Sequence, residues 1–303
     1  MSNLILLFLC IALGATLRKG KILPENGHVA LNAFVINISL AALCLFYIPK
    51  IEFDLKLIFP VAVAWLNIFF AILLFTFAGK KFGWNKSLIG AVIMCAGFGN
   101  TSFVGIPVIS ALYGNESLKT VMLVDQPGSF VALSTVGIAV VNFYSGSHSS
   151  AGDILKKIIR FPPFITFLLA IFLNIFQFHV PDVLDDVLSK LGATTVPLAL
   201  VSVGSQLRFE SPGPYTKPLA AGLLFKLIIF PFIIFILYCL IFKQNGEVIE
   251  ISMMEAAMAP MITSAILASS HDLEPKLCNL FIGIGIPLSF LTLTLWYLVL
   301  QQL

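Results

Sequence analysis

The sequence predicts an all-α polytopic membrane protein, with ten transmembrane helices in two inverted five-helix repeats and with helices 4 and 9 broken. Three observations lead there. The 303 residues are 59% apolar and only 11% charged, with a mean hydropathy of +1.01, whereas a soluble domain carries about 25% charged residues. The apolar residues fall into ten runs, most of them close to the roughly 20 residues that cross a bilayer core. Two of those runs, in corresponding positions of the two halves, are interrupted by glycine, proline and small polar residues, the pattern that points to a binding site in carriers built from repeats.

The first run, 2–17, precedes its positive charges, Arg18, Lys19 and Lys21. A signal peptide has the opposite order. The following runs are 28–48, 57–78, 86–113 and 118–143. A polar connection from Tyr144 to Lys157, rich in Ser, Gly and His, reads as a flexible linker. Beyond it lie 159–179, 183–206, 216–242, 247–270 and 276–300. An even number of spans puts both termini on one side. Twelve basic residues (Arg18, Lys19, Lys21, Lys80, Lys81, Lys86, Lys156, Lys157, Arg160, Arg208, Lys217 and Lys276) fall in loops of one side, and five (Lys50, Lys56, Lys119, Lys190 and Lys243) in loops of the other. Positive charge accumulates on the cytoplasmic side, so both termini are expected outside the cytoplasmic membrane.

Five spans on each side of the linker divide the chain into a first repeat, 1–145, a cytoplasmic linker, 146–158, and a second repeat, 159–303. An odd number of spans per repeat inverts the second against the first. An offset of 158 residues carries Pro260 onto position 102, inside the fourth-span break Gly97–Pro107; the ninth span has its own break, Met258–Ser264. Glycine and proline both oppose a continuous helix. Unpaired backbone groups in hydrocarbon cost several kcal/mol each, so such breaks persist only where protein or a watered cavity surrounds them.

Several stretches also carry a resemblance. They are Leu17-Arg18-Lys19-Gly20-Lys21-Ile22-Leu23-Pro24 after the first span, Gly99-Asn100-Thr101-Ser102-Phe103-Val104-Gly105-Ile106-Pro107, Val203-Gly204-Ser205-Gln206-Leu207, Lys226-Leu227 followed by Pro231, and Met258-Ala259-Pro260. With these, the chain resembles, over its full length, the auxin efflux carrier family of membrane transport proteins in its short-loop bacterial form. The resemblance implies spans 1, 2, 6 and 7 as a scaffold and 3–5 and 8–10 as a transport part. It further implies that spans 4 and 9 cross near mid-membrane, and that the cargo is a small organic anion such as auxin, malate or malonate. One departure is that Ser39-Leu40 is followed by Ala41 where the family has proline; Pro197 keeps the equivalent proline in span 7.

The chemistry of the breaks agrees with an anion. The second half of a broken helix begins with unpaired N–H groups carrying partial positive charge. Those starts are expected near Val104–Pro107 and near Met261–Thr263. The substrate-binding candidates are Asn100, Thr101, Ser102, Gly105, Ile106, Pro107, Pro260, Met261, Thr263 and Ser264, with Gln126 as a further donor. Phe98 or Phe103 flanks the cargo. The free carbonyls ending each first half suit a cation or waters, and a Na⁺ near Gly97, Asn100 and Glu255 is one option. Asp125, Lys226 and Glu255 lie inside spans, where a charge costs roughly 2.5–3.5 kcal/mol on insertion scales. They are the candidates for proton or cation coupling, Glu255 first because it precedes Pro260 by five residues; a static buried pair with Lys226 is the alternative. Asn32, Asn37, Asn67 and Asn174 are expected to bond between helices, and Gln206 to face the cavity.

Other classes fare worse. The five cysteines lack metal-ligand spacing and read as small apolar residues. No histidine is given a role. An intramembrane protease would need paired deep aspartates, or a Gly-x-Ser-x-Gly elbow with a histidine, so an enzyme is not expected. Without a nucleotide-binding loop, transport would be gradient-driven, with no cofactor beyond coupling to Na⁺ or H⁺. A bile-acid-type sodium symporter for a larger organic anion, and a channel or sensor on the same fold, remain alternatives. The expected partners are the organic anion, the lipid bilayer and, as an option, a second copy in a homodimer; nucleic acid is not among them.

Overall fold

A computed structural model describes residues 2–52, 54–146, 152, 161–178, 180–207 and 210–302. Among them, all regular structure is helical apart from one isolated bridge between Gly99 and Pro260. The helical segments are α1 (Ser2–Lys19), α2 (Gly27–Lys50), α3 (Leu55–Lys81), α4 (Lys86–Ala96), α5 (Thr101–Tyr113), α6 (Asn115–Ser145), α7 (Pro162–Ile175), α8 (Asp182–Gln206), α9 (Gly213–Ile241), α10 (Glu247–Ala256), α11 (Ile262–Ser269) and α12 (Pro275–Leu300). Six of these, α2, α3, α6, α8, α9 and α12, are long and apolar enough to cross a membrane. The runs predicted as spans 4 and 9 are each divided in two, as α4/α5 and α10/α11. Most of the predicted linker, with Lys156, Lys157 and Arg160, lies outside the described residues, as do Arg208 and His179.

The long helices are not uniform. In α6 the turn Val124–Phe130 widens around Pro127, which has no N–H to give. In α2 the turn Val35–Ser39 widens just before Leu40, although no proline follows it. In α9 two wide turns flank Phe230–Phe235, which contains Pro231.

Helices α1, α2, α7 and α8 hold one another through close backbone approach and polar pins. α1 and α8 meet at Gly14 and Gly204: a Cβ on Gly14 would run into the backbone of Val201 and Ser205, and one on Gly204 into that of Ile11. Small residues replace hydrophobic driving force in lipid by letting backbones touch. Ser202 donates to Asn32 Oδ1 over 2.5 Å, and Ser39 and Thr194 share a 2.7 Å bond. Asn174 Nδ2 donates to the carbonyls of Ile48, Pro49 and Ile51 at 2.7–3.0 Å, closing the end of α2. Asn32 and Asn174 thus bond between helices as expected. Asn37 instead bonds within its own helix, to Ala33 O at 2.7 Å, because a mid-helix Asn has the i−4 carbonyl within reach. Asn67 Oδ1 is buried without a hydrogen-bond partner.

The remaining helices pack around the two breaks. Trp65 Nε1 of α3 donates to Pro127 O of α6 at 3.1 Å, Tyr238 of α9 to Phe59 O at 2.7 Å, and Trp296 of α12 to Leu227 O of α9 at 3.0 Å. The outer faces are apolar: Phe69, Leu73 and Phe77 of α3 and Leu291, Leu295 and Leu298 of α12 are all more than half exposed. Each set recurs every three or four residues and forms one stripe. Stripes of this size are untenable in water and natural against lipid. Gly204→Leu should therefore open the α1–α8 seam. Overpacking of this kind costs about 1–3 kcal/mol, read as a lower unfolding temperature of the detergent-solubilised protein.

Candidate functional site

The two breaks meet. Asn100 N donates to Ala259 O at 2.8 Å and Met261 N to Phe98 O at 3.1 Å, an antiparallel pair of bonds centred on Gly99 and Pro260. Backbone groups that each helix frees by breaking are satisfied by the other, as burial demands.

The second half-helix of the first break starts at Thr101, earlier than the expected Val104–Pro107. Its cap is the reason. Asn100 Oδ1 accepts from Phe103 N at 3.0 Å, which satisfies a first-turn donor. The first turn, Thr101–Gly105, is wide, with Gly105 N donating to Asn100 O at 2.9 Å. Pro107 then falls in the second turn, just inside the regular helix, where its ring is tolerated. The second half-helix of the other break starts at Ile262, as expected.

Asp125 anchors this start. Its Oδ1 accepts from the hydroxyls of Thr101, at 2.5 Å, and of Ser102, and its Oδ2 accepts from Gln126 Nε2 at 2.7 Å. Three donors on one carboxylate compensate much of the cost of burying it. These four residues line, or back onto, a cavity of about 240 Å³ between α2, α5, α6 and α11. Asn100, Ser102, Asp125, Gln126, Ser134 and Thr263 give it a polar wall; Phe103, Met261 and Leu267 are among its apolar lining. Asn100 Nδ2 and Gln126 Oε1 are buried there without hydrogen-bond partners among the described residues, one donor and one acceptor left open.

The other candidates are dispersed. Glu255 is 1% exposed and neither carboxylate oxygen has a hydrogen bond among the described residues. It fills the space that Gly105 leaves: a Cβ there would stand 2.5 Å from Oε1. Gly105 is therefore the seat of Glu255 and not part of the cavity wall. Lys226 Nζ donates to Ala256 O at 2.7 Å. Among the described residues no ion pair joins it to Asp125 or Glu255, so the static pair is not formed. Ile106 and Pro107 line a different cavity, of about 310 Å³, towards Tyr47 and Ser189. Pro260 packs where a Cβ on Gly285 would be, and Ser264 bonds to Met261 O of its own helix at 2.9 Å. Gln206 lines a third cavity, of about 500 Å³, with Arg18, Glu25 and Ser269. Phe103 flanks the central cavity, whereas Phe98 is buried beside Gly137. Gly97 N bonds to Ile93 O and ends α4. Among the described residues no cluster of three or more His, Cys, Asp or Glu could hold a metal. Sequence reasoning missed Ser134, Ile36 and Leu40 in the cavity wall, for these sit in unremarkable stretches of α6 and α2 and only packing brings them in.

The sequence has relatives. A family model described as membrane transport protein matches residues 1–151 and 146–297. A protein of Methanocaldococcus jannaschii named an uncharacterized transporter is 30% identical over 288 residues, covering 91% of this chain and 90% of that one. A second, from Methanothermobacter thermautotrophicus and also named an uncharacterized transporter, is 27% identical over 300 residues, covering 96% and 95%.

The Asp125 cluster makes a specific demand. Asp125→Ala strands the Ser102 hydroxyl and the Gln126 amide in a buried site and leaves the Thr101 hydroxyl only its 3.2 Å bond to Ser129, and each unsatisfied group costs about 1–3 kcal/mol. The variant should melt well below the wild type in a detergent thermal-shift assay, and Asp125→Asn, which keeps an acceptor, should lose less.

Proposed function

Because the chain belongs to the membrane transport protein family and is a multi-pass transporter, we propose that it is a secondary carrier of small organic anions, mono- or dicarboxylates, working by alternating access. The observation that carries this reading is the 240 Å³ cavity at the starts of α5 and α11, with its open donor on Asn100. Two half-helix N-termini supply partial positive charge, and Asn100, Ser102 and Thr263 supply neutral donors. Such a site attracts a carboxylate without a permanent arginine clamp and can release it. The volume suits a small acid and is below the 300–1,000 Å³ typical of drug-sized ligands, which disfavours a bile-acid-sized cargo.

In this proposal α4/α5 and α10/α11 are the crossover helices of spans 4 and 9. They belong to two inverted repeats, 1–145 and 159–303, joined by a cytoplasmic linker at 146–158, with both termini outside the cytoplasmic membrane. The tight α1–α2–α7–α8 group acts as scaffold, and the group holding the breaks moves against it. The mutual backbone bonds of the breaks support their moving as one unit.

Asp125 sets the coupling requirement. A carboxylate cargo entering its cavity meets a like charge a few Å away, and such a pair is stable only if a proton or cation enters too. Glu255, unpaired behind Gly105, is a second carboxylate that a proton or cation would have to neutralise. Both are proposed as coupling groups, Glu255 as the one whose neutralisation follows movement of α5.

Uptake of labelled mono- and dicarboxylates into proteoliposomes, with Na⁺ and pH gradients imposed separately, tests the reading; if no carboxylate moves or competes, it is wrong. Asn100→Ala should lose the α5 cap, about 0.5–2 kcal/mol of stability, and the protein recovered folded should show a KM for the anion raised about 10-fold or more, the loss of one hydrogen bond to a charged group. Glu255→Gln should remain folded and lose gradient-driven accumulation; wild-type coupling in that variant would remove Glu255 from the mechanism.

A further inference from the structure

Lys226 ends where the two breaks cross. Its side chain rises from the middle of α9 and is 0% exposed. Nζ donates to Ala256 O, the last carbonyl of α10, at 2.7 Å. It also lies under the other break, for a Cβ on Gly99 would stand 3.2 Å from Nζ and 3.4 Å from Glu255 O. One ammonium thus bonds the C-terminal end of α10, where carbonyls point without intrahelical partners and the dipole presents negative charge, and lies against Gly99, three residues beyond the end of α4. No carboxylate neutralises it by ion pairing among the described residues; the ring of Phe230 faces it at 5.5 Å. In transporters with broken helices, unwound carbonyls and half-helix C-termini are the ligands that hold Na⁺.

We infer that the Lys226 ammonium is the resident cation of the crossing, tethered to α9, so that no Na⁺ binds between the ends of α4 and α10 and transport does not depend on Na⁺. This rests on the carrier reading above and narrows its coupling to an ion other than Na⁺ at this position. The ammonium fills the space, occupies the carbonyl of Ala256 and repels a second cation. Gly99 is part of the same device, since any larger residue there displaces Nζ. Removing a lysine buried only for packing would create no response to Na⁺.

The test compares wild type, Lys226→Ala and Lys226→Arg in NaCl and in choline chloride. In proteoliposomes the wild type and Lys226→Arg should take up the transported carboxylate equally, within about twofold, in either salt. Lys226→Ala should lose at least about tenfold in choline, because a charge-assisted bond is gone, and Na⁺ should restore part of that loss. A cargo-independent arm uses the purified proteins: NaCl should raise the unfolding temperature of Lys226→Ala relative to choline chloride and leave the wild type unmoved, since only a bound ion stabilises by mass action. If Lys226→Ala is not recovered folded, Lys226→Gln replaces it. Wild-type uptake that requires Na⁺, a wild-type protein stabilised by Na⁺, or a folded variant that gains no response to Na⁺ overturns the inference. Failure of every carboxylate to move would instead overturn the carrier reading and leave the stability arm to decide the role of Lys226.

Discussion

Everything at the centre of this molecule depends on one constraint: two helices that stop half-way must have their open backbone groups paired. Water would do this at a surface, but in hydrocarbon each unpaired group costs several kcal/mol. The breaks solve the problem reciprocally, Asn100 N to Ala259 O and Met261 N to Phe98 O. Neither break is stable alone. The glycines and Pro260 follow from this: the chain must turn sharply, lack side-chain bulk at Gly99, and need no donor at residue 260.

Charge is then distributed by the polarity of the half-helices. The C-terminal end of α10 holds the ammonium of Lys226, which lies against Gly99 of the other break. The start of α5 attracts Asp125, which reaches it through Thr101 and Ser102. Positive and negative groups are thus separated across the crossing without a direct ion pair. A buried pair would hold the helices in one arrangement and is strongly disfavoured to break; in the proposed carrier, groups held by helix ends would be free to exchange partners as the halves move.

Much of this architecture is legible in the amino-acid sequence, and the reasons for the rest are physical. The runs of apolar residues mark the helices, because hydropathy over about 20 residues is set by the bilayer itself. The two breaks are legible because glycine, proline and Asn-Thr-Ser all oppose a continuous helix in hydrocarbon. The start of α5 lies three residues before the earliest position that Pro107 suggests, since the Asn100 cap and a wide first turn begin the helix sooner. The partners of Asp125, Lys226 and Glu255 are not legible at all. The hydroxyls on Asp125 come from residues 23 and 24 positions away, and the carbonyl on Lys226 from 30 positions away; no local pattern encodes such contacts. Gly105 reads as a cargo contact in the sequence, whereas its role in the fold is to leave room for Glu255.

The identity of residue 100 follows from the two tasks its side chain performs at once. Its oxygen caps α5, accepting from Phe103 N, and that bond fixes which end of the amide is oxygen. Its nitrogen is buried beside the cavity with no hydrogen-bond partner among the described residues. Asp would cap as well but present only acceptors beside Asp125, turning the wall of the cavity against an anion. Ser or Thr would cap with the same single oxygen that must also donate, so cap and cargo would compete for it. Asparagine alone among the good capping residues separates the two functions on two atoms. In the proposed carrier, the stability of the half-helix and the readiness to bind a carboxylate are thereby joined in one side chain, placed at the point where the two broken helices touch.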